Sequence, residues 1–216
     1  MSENTNVSTE LCEKSSELDE KIVPYHTLEL LNEMQKRSIM NTFIYAINGM
    51  RSISNGKILR LIKNLYIVCR LHYLSIENKK KCNLHPQKFH PMQPKYGEIY
   101  NAIITENVGS ELSNNHLVII ISNEKTNLFA EKVNAVPIEG DGNAVPKYLV
   151  KLENSDLEYG KLDKSPSRII IPEIITIDKA RLGLKVGQIK NEKIIEIQRK
   201  ILEQFSINIR QLVVDK

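Results

Sequence analysis

The 216-residue chain has no tryptophan, only 6% aromatic residues, nine glycines and three cysteines. Cys12, Cys69 and Cys82 are odd in number and show no Cys-x-x-Cys spacing, which excludes a disulfide framework and a four-thiolate zinc site. Neither G-x-x-x-x-G-K-[ST] nor G-x-G-x-x-G nor G-x-S-x-G occurs, so nucleotide-binding folds and α/β-hydrolases lack their phosphate and nucleophile turns. No cofactor is expected. No apolar run reaches the roughly 20 residues a bilayer requires, and residues 1–20 are acidic and polar where a signal peptide would be basic and then apolar. The expectation is therefore no membrane span and a cytoplasmic location. What the chain does have is 41% hydrophobic residues, enough to bury the core of one medium domain or two small ones.

The net charge of +4 is unevenly spread. Residues 1–20 carry one base and six acids, residues 21–94 carry twelve bases and three acids, and residues 95–207 are close to balance. Any electrostatic attraction for nucleic acid is expected to start in the second segment.

Residues 1–20, rich in Ser, Asn, Thr and Glu, have little to bury and read as a disordered acidic tail. Residues 21–81 read as a basic helical hairpin. Its first helix opens at the N-cap Thr27, repeats apolar residues from Leu28 to Ile47, and stops at Asn48-Gly49. Its second, of about 20 residues, follows Ser54-Asn55-Gly56. The polar side of the second helix carries Lys57, Arg60, Lys63 and Arg70, candidates for phosphate contact, or for contact with an acidic protein. Residues 82–94 hold three prolines and two histidines and read as a semi-rigid linker and domain boundary. Cys82, His85 and His90 supply three ligands of metal-binding type there, but no fourth is evident, and no metal is expected.

From residue 95 the pattern changes to short β-type segments at Gly97–Ile104, His116–Ser122, Glu131–Ile138, Lys147–Leu152, Arg168–Ile171 and Lys185–Ile189. Such strands predict a small barrel, domain 95–207. A helix over about 191–205 would turn Ile194, Ile197, Ile201, Leu202 and Phe205 inward to cap it. A short tail, 208–216, follows. The fold class is α+β: a helical hairpin, then a small antiparallel barrel with a C-terminal helix.

Within that half, five stretches stand in a telling order: Tyr96-Gly97-Glu98-Ile99-Tyr100, Gly109-Ser110-Glu111, Val118 to Asn123, Thr176-Ile177-Asp178-Lys179-Ala180-Arg181-Leu182-Gly183, and Lys185-Val186-Gly187. Over about residues 95–205 the chain resembles the PemK/MazF family of toxin-antitoxin toxins. The resemblance implies an SH3-like antiparallel barrel, usually dimeric, that cleaves single-stranded RNA without a metal through attack by a ribose 2′-hydroxyl. It also implies a cognate antitoxin that lays a tail across the RNA groove, and it places Ser110 and Glu111 at the border of that groove.

The chain departs from the family where chemistry is expected. His116-Leu117 stands where members usually have an arginine and a proline, Glu139 where they have a threonine or serine, and Ile175 where many have a further arginine. Two readings follow. In one, His116 and Glu139 form a replacement acid/base pair, since an imidazole exchanges protons near neutral pH and a carboxylate can orient it. In the other, the loss of a permanent cation has ended catalysis, leaving a barrel that binds nucleic acid, an antitoxin or another protein. A weaker third reading follows CcdB, a toxin of related fold that acts on DNA gyrase. In the 176–183 segment, Asp178 is expected to cap a turn, Lys179 and Arg181 to face solvent, and Gly183 to supply a positive φ.

Overall fold

The computed structural model describes residues 31–49, 54–140, 146 and 148–207. The tails expected over 1–20 and 208–216, and the cap expected at Thr27, lie outside them. The chain divides into two compact units, residues 1–54 and residues 55–216. In the first, helix α1 spans Glu33–Gly49 and ends at the expected glycine. Its start is fixed by a reciprocal pair: Gln35 N donates to Asn32 Oδ1 at 2.9 Å, and Asn32 N donates to Gln35 Oε1 at 3.0 Å. Two backbone donors that helix geometry leaves orphaned are thereby satisfied.

The second unit opens with helix α2, Asn55–Leu84, thirty residues long and longer than expected. The extra turns carry Lys79 to Lys81, whose charges oppose the negative end of the helix dipole, and a Lys80–Glu77 pair at 2.7 Å. Beyond them the chain is tied to the barrel. His90 N donates to Leu128 O at 2.7 Å, and Asn127 Nδ2 donates to Pro94 O at 2.8 Å. Cys82 Sγ donates to Lys88 O, His85 stacks on Phe89, and His90 is buried with Nδ1 at the Met92 backbone. The three side chains expected to lack a fourth ligand are thus each engaged separately. Among the described residues no cluster of three or more His, Cys, Asp or Glu is placed to hold a metal.

Among the described residues eight strands follow: β1 Glu98–Ile104, β2 Asn114–Ile120, β3 Lys132–Glu139, β4 Val150–Leu152, β5 Leu157–Gly160, β6 Ser167–Ile169, β7 Ile175–Asp178 and β8 Leu182–Ile189. A short helix, α3 Glu124–Phe129, joins β2 to β3, and α4 Asn191–Gln204 closes the unit. The strands form one curled antiparallel sheet in the order β4-β6-β3-β2-β1-β8-β5, with β7 also paired to β3. This is the α+β, SH3-like architecture expected.

Period-two alternation explains the curl, because both faces are apolar and both must be covered. Ile99, Ile119, Val136, Ile138 and Ile169 point to one side, where Ile194, Ile197 and Ile201 of α4 pack on them. Tyr100, Ala102, Val118, Ile120, Val133 and Ala135 point to the other, covered by Ile177, Met92 and Leu112. Phe205, expected to turn inward, is 60% exposed. It is the C-cap of α4, one residue past the last helical turn. At the edge, β5 passes so close to β8 that a Cβ at Gly160 (φ +93°) would sit 2.2 Å from the Val186 carbonyl oxygen. Only glycine fits there.

The 176–183 segment behaves differently from expectation at three of four positions. Asp178 does cap the short 3-10 turn Lys179–Arg181, its Oδ1 accepting from Ala180 N at 2.8 Å. Lys179, however, is 1% exposed, and its ammonium donates to the carbonyls of Asn127 and Met92. Arg181 Nη1 donates to Ile103 O at 2.9 Å rather than facing solvent. Gly183 is not among the positive-φ glycines; a Cβ there would instead meet the Asn101 carbonyl oxygen at 3.3 Å. For Lys179 the reason is local: the carbonyls of Asn127 and Met92 lie within reach of its ammonium and need a donor.

Candidate functional site

A groove of about 520 Å³ opens where the ends of β2, β3 and β6 meet the loop between β1 and β2. Sheet register builds it. Leu117 pairs with Ile138, and the residues next to that last pair, His116 on β2 and Glu139 on β3, both line the groove. Both flank residues of the α4-facing core, so both side chains project to the other side. Glu139 pairs in turn with Arg168 of β6, whose neighbours Ser167 and Ile169 are buried. Three chemically capable side chains thus reach one wall from three strands.

His116 Nε2 lies 2.8 Å from the Ser113 carbonyl oxygen. A carbonyl only accepts, so Nε2 carries the hydrogen and the lone pair of the neutral ring sits on Nδ1. Among the described residues Nδ1 has no hydrogen-bond partner. Arg168 donates to Glu139 Oε2 twice, from Nε at 2.8 Å and from Nη2 at 2.5 Å. The carboxylate therefore serves the guanidinium, and the imidazole is oriented by backbone.

The loop over 105–113 forms the opposite rim, with Ser110 and Glu111 lining the groove. It is closed on itself: Asn107 N donates to Ser113 Oγ at 2.9 Å, Asn107 Nδ2 donates to Leu112 O at 2.7 Å, and Glu111 Oε2 accepts from Val108 N at 3.2 Å. Its root is held by α2. Lys57 Nζ lies 2.7 Å from Glu106 Oε1 and donates to Asn107 O at 3.0 Å, while Arg60 Nε lies 3.3 Å from Glu106 Oε2. The hydrogen bond from Lys57, reinforced by the charges of Lys57 and Arg60, holds the Glu106 carboxyl below its ordinary range despite burial.

The sequence-derived candidates therefore separate into two places. His116, Glu139, Ser110 and Glu111 share the groove. Lys57 and Arg60 brace its rim from behind, Lys63 is exposed on α2, and Arg70 packs over the Tyr66 ring at 5.7 Å. Arg168, Tyr148 and Glu173 are among the groove residues that had not been singled out. Tyr148 is 59% exposed, and Glu173 Oε2 is shut away from solvent without a partner among the described residues. The available signal for Arg168 was alternation, a charged residue flanked by Ser167 and Ile169 in a predicted strand.

The arrangement offers a base at His116 Nδ1 and a cation at Arg168 in the same groove. Deprotonating a hydroxyl next to a phosphodiester and neutralising charge on the phosphorus oxygens need those two groups.

A small curled antiparallel barrel with a polar groove at one strand end is the class this half of the chain defines. Residues 95–205 match the family described as PemK-like, MazF-like toxin of type II toxin-antitoxin systems, and the chain belongs to that family. It is 31% identical over 112 residues to the endoribonuclease MazF of Staphylococcus epidermidis, an alignment spanning 52% of this chain and 91% of that protein. Among solved structures, an endoribonuclease from a mycobacterial species aligns with a TM-score of 0.42 and 18% identity, over 54% of this chain and 94% of that one. MazF from Deinococcus radiodurans aligns with a TM-score of 0.45 and 15% identity, over 53% and 98%. A MazE-MazF structure from the same organism aligns with a TM-score of 0.42 and 12% identity, over 54% and 99%.

Proposed function

We propose that this protein is the toxin of a toxin-antitoxin pair and that its groove binds and cuts single-stranded RNA without a metal. One observation carries the reading: His116 and Arg168, far apart in sequence, line a single groove in a chain of this family. Arg168 supplies from β6 a cation that the sequence lacks at the head of β2.

In this mechanism the 2′-hydroxyl of a bound ribose gives its proton to His116 Nδ1 as the 2′-oxygen attacks phosphorus. The phosphorus–O5′ bond breaks, the 5′-oxygen takes up a proton from solvent water, and the products are a 2′,3′-cyclic phosphate and a 5′-hydroxyl end. The Ser113 carbonyl holds the ring and stabilises the imidazolium that forms, as an acceptor on the far nitrogen must. Arg168, steadied by Glu139, faces the negative charge that builds on the phosphate oxygens. The α2 cations Lys57 and Arg60 act indirectly, by fixing the rim loop, while Lys63 and Arg70 lie along the helix as backbone contacts. A cognate antitoxin covering the groove, and a homodimer, complete the proposal.

A second reading has one observation in its favour. Glu111, Glu139 and Glu173 place three carboxylates in the groove against one arginine, and a phosphate backbone is repelled by such an excess. In that reading the barrel binds a partner and cuts nothing. Incubation of the purified protein with mixed-sequence RNA in EDTA separates the two. The catalytic reading predicts cyclic-phosphate ends, with loss of about 10²-fold or more in rate on His116→Ala. Intact RNA across pH 5–9 supports the binding reading instead.

A further inference from the structure

The rim loop over 105–113 has little apolar burial to hold its shape. Val108, Gly109, Ser110 and Glu111 are all exposed, so the conformation rests on polar bonds at its two ends. Asn107 makes several of them. Its backbone N–H donates to Ser113 Oγ and its side-chain amide to the Leu112 carbonyl, which ties the start of the loop to its end, while its own carbonyl accepts from Lys57 Nζ of α2. Beside it, Glu106 has a side chain only 4% exposed, with Lys57 and Arg60 on its two oxygens. A carboxylate so enclosed needs its cations, and this fixes the loop root to α2. At the far end Asn114 takes a φ of +72°, a left-handed turn that asparagine tolerates. The peptide between Ser113 and Asn114 carries the carbonyl that accepts from His116 Nε2 at 2.8 Å. An unbroken path of bonds, Lys57 to Asn107, Asn107 to Ser113 and Ser113 to His116, thus joins α2 to the imidazole.

We infer that Glu106 is a positioning residue for His116: docked on Lys57 and Arg60, it fixes Asn107 and, through Asn107, the Ser113 carbonyl that orients the ring. This rests on the RNA-cleaving reading above and adds to it the part of the chain on which the base depends. Lys57 and Arg60 lie outside residues 95–205, the segment that matches the family, so the base is oriented from outside the barrel. Proton transfer is sensitive to such support. Nδ1 must come within about 3 Å of the 2′-oxygen it serves, and a misplacement of about 1 Å can cost about 100-fold in rate. The other ties of α2 to the barrel bypass the loop. Ser75 donates to Asp178 at 2.7 Å and Lys79 pairs with Glu131 at 3.0 Å, and neither carboxylate lines the groove.

The test uses the full chain with isotope-labelled histidine and reads the ring by NMR in the absence of RNA. The His116 Nε2–H signal, assigned by its loss in His116→Ala, is expected to exchange with water about tenfold faster or more in Glu106→Gln and in Lys57→Gln, with amide exchange in β2 unchanged. In a parallel assay on mixed-sequence RNA in EDTA, kcat should fall about tenfold in both variants while KM changes less. Glu106→Asp, which keeps a carboxylate within reach of the flexible lysine, should regain most of the ring protection and most of kcat. Lys79→Gln, which cuts the exposed pair with Glu131 instead, should alter neither. Ring exchange and kcat at wild-type values in Glu106→Gln overturn the positioning role and leave cleavage at His116 in place. Activity lost with ring exchange unaltered overturns it too, since the effect would then not pass through the imidazole. A wild-type protein that cuts no RNA overturns the cleavage reading itself, whatever the ring exchange shows.

Discussion

Replacing the buried Lys179 with methionine should change the pH dependence of folding in a way no surface lysine would. Burial holds the Lys179 ammonium down to about 8 from an ordinary 10.5. The depressed value means that the unfolded chain binds this proton more readily than the folded one. The penalty is therefore fully present below pH 8, shrinks between pH 8 and 10.5, and is gone above. At about 1.36 kcal/mol per pH unit, the wild-type protein gains about 3 kcal/mol from this group across that window. Lys179→Met abolishes the titration and strands the Asn127 and Met92 carbonyls, at about 1–3 kcal/mol each. Lys185, raised by its bonds to Tyr159 and Glu98, is common to both proteins and cancels in the difference. Urea unfolding of the two at pH 7, 8, 9 and 10 should show the gap between wild type and variant widening with pH. Parallel stability curves would refute the assignment of a disfavoured ammonium to this site.

Other perturbations follow from the same coordinates. Ile119→Ala, at a fully buried position in the α4-facing core, should lower unfolding free energy by about 2–5 kcal/mol in a denaturant titration. Gly160→Ala should destabilise by more than about 1 kcal/mol in the same assay, because the added Cβ meets the Val186 carbonyl. Arg168→Lys should retain part of the RNA-cleaving rate and Arg168→Ala very little, since lysine keeps the charge but not the fork that engages Glu139. Glu106→Gln should raise amide exchange over residues 105–113 without altering exchange in β2, because it removes the carboxylate that Lys57 and Arg60 grip.

Much of this architecture is written in local patterns. The alternation in Val118 to Ile121 and Val133 to Ile138 fixes strands apolar on both sides, and a strand apolar on both sides requires a curled sheet or two covering layers. β5 and β7 escape such a reading: each is four residues long, and Glu158 and Tyr159 leave β5 no apolar alternation to detect. Lys179 escapes it for a different reason. A lysine beside an aspartate is ordinarily solvated, and only the three-dimensional placement of two carbonyls makes it a core residue. In the groove, His116 and Glu139 stood out because they replace residues a family resemblance led one to expect. Arg168 follows Glu139 by 29 positions, and nothing in composition links them; the link is the pairing of β3 with β6, a non-local contact. Glu173 carries no sequence signal, since only the fold brings it to the groove.

Where an RNA strand lies on the protein decides whether the groove is its binding site. Titrating the isotope-labelled full chain with a non-cleavable 2′-deoxy oligonucleotide and mapping the shifted amide and imidazole signals measures this. Shifts concentrated at Ser110 to His116, Tyr148, Arg168 and Glu173 are predicted. Shifts confined to Lys63, Arg70 and their neighbours on α2, with the His116 ring unmoved, would contradict the claim that the barrel groove is the site of binding and chemistry.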